Sequence, residues 1–192
     1  MKRKQKDNKK LNTFMAVFIA VIMVSSIAGM MWSDTDSQLS YNDHKFKRTD
    51  NQIYIKIAGE TYFFNYFPTD LESLNTSDGL KSEIANLQMF YLTFDPDSES
   101  LPYIENARFD LSNDLAKTEF FFANAKTKES ELYDLPIITC ENATSFVPVI
   151  YFKDGERTGF FKEGNCIVAE SKTKEGFLAL KDKLLYMILG VM

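Results

Sequence analysis

Histidine and cysteine are scarce in this chain, which has one histidine, His44, and two cysteines, Cys140 and Cys166, among 192 residues. A structural zinc site takes four cysteine or histidine ligands, so this inventory excludes most zinc sites. It also leaves no complete Ser-His-Asp or Cys-His set, because His44 lies in a polar segment that would hold a catalytic base poorly. We therefore predict no catalytic residue, no metal site and no cofactor.

Positive charge is confined to one end of the chain. Residues 1–32 carry a net charge of +5, whereas the remainder carries −10. Binding to a phosphate backbone needs clustered positive charge, so no nucleic-acid partner is predicted for the acidic part. The hydrophobic content of 45% and aromatic content of 14% are ample for a packed core.

An apolar run follows the basic first ten residues. Residues 11–32 contain no charged side chain, and the most apolar 19 of them span about 28 Å as a helix, close to the hydrocarbon thickness of a bilayer. This pattern predicts a single-pass transmembrane anchor, with residues 1–10 in the cytoplasm and residues 33–192 outside, at the cell envelope. Ser26-Ile27-Ala28 leaves a cleaved signal peptide open as an alternative.

The remaining chain divides into three segments. Residues 33–51 are polar without sustained periodicity and are interpreted as a stalk linker. Residues 52–87 contain two β-prone runs separated by Ala58-Gly59, which predicts an N-terminal β-hairpin extension followed by short helices. Residues 88–192 are interpreted as the main α/β domain.

The main domain begins with a βαβ pattern. Residues 88–94 form a continuous apolar run of strand length, and residues 119–123 form another. Between them, apolar residues recur at helical spacing up to about Lys117. A strand, a helix and a strand over about 35 residues predict two parallel strands. The apolar residues after Lys174 predict a helix docked broadly on the sheet.

One segment of this domain, residues 147–156 with the sequence VPVIYFKDGE, resembles the thioredoxin family. In that family a Val or Ile precedes a cis proline, and the following strand ends in Phe-Lys before a glycine turn. The resemblance implies that Pro148 is a cis proline. It also implies a thioredoxin-like fold for the domain. Together with the anchor and hairpin predicted above, the expected fold class is α/β, with an N-terminal transmembrane helix followed by a thioredoxin-like domain that carries the hairpin extension.

The chain departs from the thioredoxin pattern at the redox site. Thioredoxins carry a Cys-x-x-Cys pair at the start of the first helix of the domain, where the helix N-terminus lowers the thiol pKa. The matching segment here is residues 95–100, DPDSES, which has no cysteine. The domain is therefore interpreted as a degenerate thioredoxin-like domain without the catalytic motif.

Three other segments, residues 136–144, 164–167 and 181–190, are similar to those of uncharacterised archaeal membrane-anchored proteins. They read PIITCENAT, GNCI and KDKLLYMILG. That group has no established activity, so this second resemblance implies no function.

Cys140 and Cys166 are predicted to form a disulfide, because an even cysteine count outside the cytoplasm favours one. Two separately buried thiols and a working redox pair remain as alternatives. Asn75 and Asn142 each begin an Asn-x-Ser/Thr glycosylation pattern. Asp95, Asp97 and Glu99 alternate across a turn and could supply oxygen ligands to a divalent metal, but they lack the spacing of a calcium loop, and polar turn chemistry around Pro96 explains the segment better.

The leading functional hypothesis is a membrane-anchored, non-catalytic thioredoxin-like domain that binds another protein. A domain of this kind keeps an open surface around the proline loop that can receive a peptide. The alternative is an envelope thiol-disulfide oxidoreductase that uses Cys140 and Cys166. A metal-dependent hydrolase centred on Asp95 and Asp97 is a third hypothesis.

Overall fold

Five α-helices and ten β-strands occur in the part of the chain that the computed structural model describes, residues 9–31, 39–49 and 52–192. The strands form two sheets, so the chain is a mixed α/β protein. It divides into two compact units, Met1–Ser37 and Gln38–Met192.

The first unit contains one helix, α1, from Lys9 to Met31. Its side chains are described for residues 13–26, where the large apolar ones are exposed, Phe14 by 68% for example. Among the described residues, no helix combines the length and apolarity needed to cross a bilayer.

This finding corrects four linked predictions. The transmembrane anchor over residues 11–32 is contradicted, and with it the single-pass membrane localisation, the membrane as a partner, and the transmembrane part of the fold class. Most of the predicted cytoplasmic segment, residues 1–8, lies outside the described residues.

The second unit begins with a four-stranded antiparallel sheet in which each strand pairs with the next along the chain. The predicted hairpin is confirmed, since its two strands join through Ala58 and Gly59, both at positive φ. Two further strands lie where the sequence predicted a stalk linker, so residues 39–48 belong to the sheet. The strands are β1 (Leu39–Tyr41), β2 (His44–Arg48), β3 (Ile53–Ile57) and β4 (Glu60–Phe64).

A six-stranded mixed sheet forms the centre of the second unit. Its elements are α2 (Pro68–Leu71), β5 (Asn75–Thr76), α3 (Leu80–Ala85), β6 (Met89–Phe94), α4 (Leu101–Leu115), β7 (Phe121–Asn124), β8 (Val149–Asp154), β9 (Gly159–Glu163), β10 (Cys166–Ser171) and α5 (Gly176–Ile188). The strand order is β5-β9-β10-β8-β6-β7. Strands β7, β6, β8 and β10 are parallel, which confirms the predicted βαβ unit, and β9 runs antiparallel to β10. Strand β10 thus lies between β8 and β9, although it follows both in the chain.

The two faces of this sheet are covered differently. Successive strand residues point to opposite faces, so Ile150 and Phe152 join the large core, whereas Val149 joins a smaller cluster. We call these the main face and the second face. Helices α4 and α5 cover the main face, and α5 also packs against α2 and α3. Tyr186 of α5 contacts the rings of Phe46 and Phe64, which joins the four-stranded sheet to the same core.

Strand β7 forms one edge of the six-stranded sheet. The amide groups of Phe121 and Ala125 bond to the β6 side, so the intervening Phe122 and Asn124 direct their backbone groups away from the sheet. The connector after β7 covers this edge only further on, where the Lys126 amide donates to the Pro136 carbonyl. Within the described residues, no strand pairs with β7 at Phe122 and Asn124.

Candidate functional site

The proline loop, residues 143–148, leads into the amino end of β8. The Thr144 amide donates to the Val147 carbonyl at 3.1 Å, and the Val147 amide donates to Thr144 Oγ1 at 3.0 Å. Pro148 is buried, and its carbonyl accepts a 3.0 Å hydrogen bond from the Tyr91 amide of β6. Phe146 lies at the tip of this turn and is 87% exposed. The loop therefore holds a bare aromatic ring on a backbone that is fixed at both ends.

The peptide bond before Pro148 is trans, because no cis peptide bond occurs in the described part of the chain. The implied cis proline is thus not observed. The Thr144 side chain closes the turn, and Pro148 continues into the parallel pairing with β6. Trans is the intrinsically favoured isomer by about 0.5–1 kcal/mol, and nothing in this loop reverses that preference.

A disulfide joins the 3-10 turn just before the proline loop to the centre of the sheet. Cys140 lies in a single 3-10 turn, Cys140–Asn142, and Cys166 is the fully buried first residue of β10. Their Cα atoms are 5.1 Å apart and their sulfurs are bonded. The structure thus contains the predicted disulfide and no free cysteine in its described part. Asn142 Oδ1 accepts the Thr139 amide at 2.8 Å and closes the 3-10 turn.

The second face of the sheet is only partly covered. Ile138, Cys140 and Ala143 of the connector pack over its buried cluster. Phe122 pairs with Phe90 on the main face, so its neighbour Phe121 points to the second face, where it is 73% exposed. The half-buried residues of this face are Met89, Tyr91, Tyr151 and Phe161. An apolar surface therefore continues from the connector toward the β7 edge.

The acidic turn after β6 contains its own counterion. Lys128 Nζ lies 2.9 Å from Asp95 Oδ1 and 2.9 Å from Asp97 Oδ2. Burial raises the pKa of Asp95, but hydrogen bonds from Lys128 and from the Asp97 amide outweigh this effect and leave the pKa lowered. No cluster of three metal-ligating side chains occurs among the described residues. Because the Lys128 ammonium fills the position between the two carboxylates, the geometry does not favour the hydrolase hypothesis.

The other predicted residues are dispersed. His44 lies in β2 of the four-stranded sheet. Asn75 is exposed in β5, where it pairs with Gly159 of β9, and Asn142 is exposed in the 3-10 turn. Glycosylation of either asparagine stays a prediction. The structure therefore brings together the two cysteines and the two aspartates, and leaves His44, Asn75 and Asn142 apart.

Helix α5 contains a charged group that the sequence analysis missed. Lys181, Asp182 and Lys183 are 2%, 0% and 3% exposed, although lysine and aspartate are rarely buried. Lys181 Nζ and Asp182 Oδ1 are 2.6 Å apart and form an ion pair. The wall of a cavity of about 520 Å³ includes Lys183. In the sequence these residues are visible only as three adjacent charges in a helix that is otherwise apolar on a wide face, a pattern that does not indicate burial.

No family model, no curated protein and no solved structure matches this chain. The resemblances to thioredoxins and to uncharacterised archaeal proteins therefore stay predictions. From residue 89 onward the observed order is strand, helix, strand, connector, the three strands β8, β9 and β10, and helix α5. The trans peptide before Pro148 disagrees with what that resemblance implied.

Proposed function

We propose that this chain is a non-catalytic binding protein whose partner is another protein, contacted through the proline loop and the second face. The observation that carries the proposal is Phe146, which is 87% exposed at the tip of a fixed loop. Aromatic side chains are enriched in protein interfaces, where a few buried anchors supply most of the binding energy.

The fixed backbone favours binding because the loop is already ordered in the free protein, so less conformational entropy is lost when the complex forms. The Thr144–Val147 turn and the Cys140–Cys166 disulfide hold the loop before any partner arrives. Each rotamer-rich side chain immobilised on binding costs about 0.5–1.5 kcal/mol, and a phenylalanine on a rigid loop has few rotamers to lose.

The surface beside the loop has the chemistry of an interface. Phe121 is 73% exposed on the second face, and the half-buried Tyr91 lies on the neighbouring strand. An apolar centre that excludes water around an aromatic anchor is typical of protein interfaces. A partner that offers an apolar pocket to Phe146 and packs on Phe121 would bury both rings.

The thiol-disulfide alternative receives less support from the geometry. An exchange reaction needs an accessible sulfur with a stabilised thiolate. Cys166 is fully buried at the start of β10, and Cys140 is partly covered. The pair therefore has the surroundings of a structural bridge.

The test is site-specific photocrosslinking in the native host with a photoreactive amino acid at position 146. The matched control places it at Phe109, which is 65% exposed on the outer side of α4. We expect a discrete adduct from position 146 that is absent from position 109 and is competed by the unmodified chain. Phe121→Asp should abolish the adduct while leaving the thermal transition intact. With the identified partner, Phe146→Ala should weaken binding by at least about tenfold.

Equal crosslinking from positions 146 and 109, or an adduct that survives Phe121→Asp, would contradict the proposal.

A further inference from the structure

Lys183 is a buried cation without a counterion. Among the described residues, the other buried cations each have a carboxylate within 4 Å: Arg108 with Glu105, Lys126 with Glu129, and Lys181 with Asp182. Lys183 has none, and its Nζ instead donates to the Leu71 carbonyl at 3.1 Å and the Leu74 carbonyl at 2.7 Å. A buried ammonium without an opposite charge is unfavourable, so Lys183 loses its proton more easily than an exposed lysine does.

Either protonation state of Lys183 can make its two hydrogen bonds. A neutral amine has two N–H groups and one lone pair, whereas an ammonium has three N–H groups. With two hydrogens donated to the Leu71 and Leu74 carbonyls, the neutral form keeps its lone pair free. Burial lowers the pKa of Lys183 to about 8, and the charge of Lys81 acts in the same direction against the opposing charge of Glu72. About one amine in ten is therefore uncharged at pH 7 and holds a nucleophilic lone pair.

The cavity beside Lys183 has the size of a small-molecule site. Its volume of about 520 Å³ falls within the usual range of ligand pockets, about 300–1,000 Å³. Lys81 lies in the same wall as Lys183 and supplies a second cation. The remaining lining groups include hydroxyls and the Tyr41–Glu72 hydrogen-bonded pair, 2.9 Å apart.

We propose that Lys183 binds a small 2-oxo acid in this cavity by reversible imine formation, with Lys81 pairing with the carboxylate of the ligand. A carbonyl carbon is the electrophile that an amine lone pair attacks without any further reactant. The cation of Lys81 selects a carbonyl compound that carries an adjacent negative charge. This site is separate from the proline loop, and the proposal does not depend on the protein-binding function.

The reaction balances without an oxidant or reductant. Lys183 Nζ attacks the ketone carbon, so that an N–C bond forms and the carbonyl π bond becomes a hydroxyl group. The carbinolamine then loses that hydroxyl with a proton as water, which leaves the imine. The imine nitrogen carries fewer hydrogens than the amine. Adduct formation therefore breaks hydrogen bonds that Lys183 Nζ donates to the Leu71 and Leu74 carbonyls.

The test is reductive trapping of the full chain with pyruvate and sodium cyanoborohydride, followed by peptide mass mapping. We expect the adduct at Lys183 in preference to the exposed lysines, with a yield that rises from about pH 7 to about pH 9 as the amine loses its proton. Lys183→Met should abolish it, and Lys126→Met, at another buried lysine, should leave it unchanged. A parallel reaction with acetone in place of pyruvate tests whether Lys81 pairs with the carboxylate, because acetone has none.

Lys81→Met should lower the pyruvate yield at least about fivefold and change the acetone yield less than about twofold. If a variant does not fold, the position of the adduct in the wild-type chain, located by peptide mass mapping, still tests the proposal. Adducts spread over the exposed lysines, or a yield at Lys183 that rises only above about pH 10, would overturn it.

Discussion

Asp182 connects α5 to the end of β4 through one carboxylate oxygen and pairs with Lys181 of the same helix through the other. Oδ2 accepts the amide groups of Asn65 at 2.7 Å and Tyr66 at 2.9 Å, and Oδ1 lies 2.6 Å from Lys181 Nζ. Burial raises the pKa of Asp182, and the Lys181 ammonium and the two amides oppose that shift. The carboxylate is therefore both the counterion of a buried lysine and the acceptor for a turn.

Asp182→Asn should lower the free energy of unfolding by about 3–5 kcal/mol, because Lys181 remains as a buried charge without its partner. Lys181→Met combined with Asp182→Asn should be less destabilised than Asp182→Asn alone. Urea denaturation of these two variants, of Lys181→Met alone and of the exposed control Asp134→Asn measures the coupling. A double variant at least as unstable as Asp182→Asn would show that the pair is not coupled.

The environment of these residues was not predictable from the sequence around them. Three adjacent charges in α5 normally indicate a solvent-facing turn of helix. Their partners are backbone groups of residues 65–66 and 71–74, more than a hundred positions earlier. Phe146 was missed for the opposite reason, since an aromatic residue beside an apolar strand is usually taken as part of the core. The disulfide was predicted from an even cysteine count and an assumed location outside the cytoplasm, and the structure contains it.

At the scale of single elements, the β3–β4 hairpin has a suboptimal turn residue. Ala58 and Gly59 both have positive φ, at 52° and 90°. This two-residue turn suits Asn-Gly, since asparagine tolerates the left-handed region better than alanine does.

Ala58→Asn should therefore stabilise the second unit, by up to about 1 kcal/mol. Thermal unfolding followed by circular dichroism gives the change, with Asn42, the other non-glycine residue at positive φ among those described, replaced by Ala as the reciprocal control. That control should be destabilised. A lower transition temperature for Ala58→Asn would mean that the side chain at position 58 contributes a contact that asparagine cannot make.

Elements with strong local periodicity were predictable, and those that depend on distant pairing were not. The βαβ unit and the β3–β4 hairpin follow from apolar patterns within their own residues. Strands β1 and β2 could not be predicted from an apolar pattern. Phe46 is the one buried residue of β2, and its neighbours Lys45, Lys47 and Arg48 are charged. The two residues of β5 form a strand only because β9 lies beside them. The position of β10 between β8 and β9 likewise depends on tertiary packing.

At the scale of the whole molecule, the disulfide links two cysteines that are 26 positions apart in the sequence and so closes the loop of chain between them. Replacing both Cys140 and Cys166 by serine should lower the free energy of unfolding by about 3–4 kcal/mol in the chain-entropy model. Chemical denaturation of the double variant measures this loss, and the reduced wild-type chain serves as the control. If mild reductant opens the bridge without affecting stability, the structural role is wrong and the redox alternative regains weight.

The free edge of β7 gives this protein an aggregation hazard. Phe120, Phe121 and Phe122 form a short, uncharged, β-prone run, and among the described residues no strand lies beside the backbone groups of Phe122 and Asn124. Such an edge can template pairing with another chain, particularly during refolding. The exposed Glu119 precedes the run directly and acts as a charged gatekeeper. Neutralising Glu119 would promote precipitation at high protein concentration, even where the folded structure is unchanged.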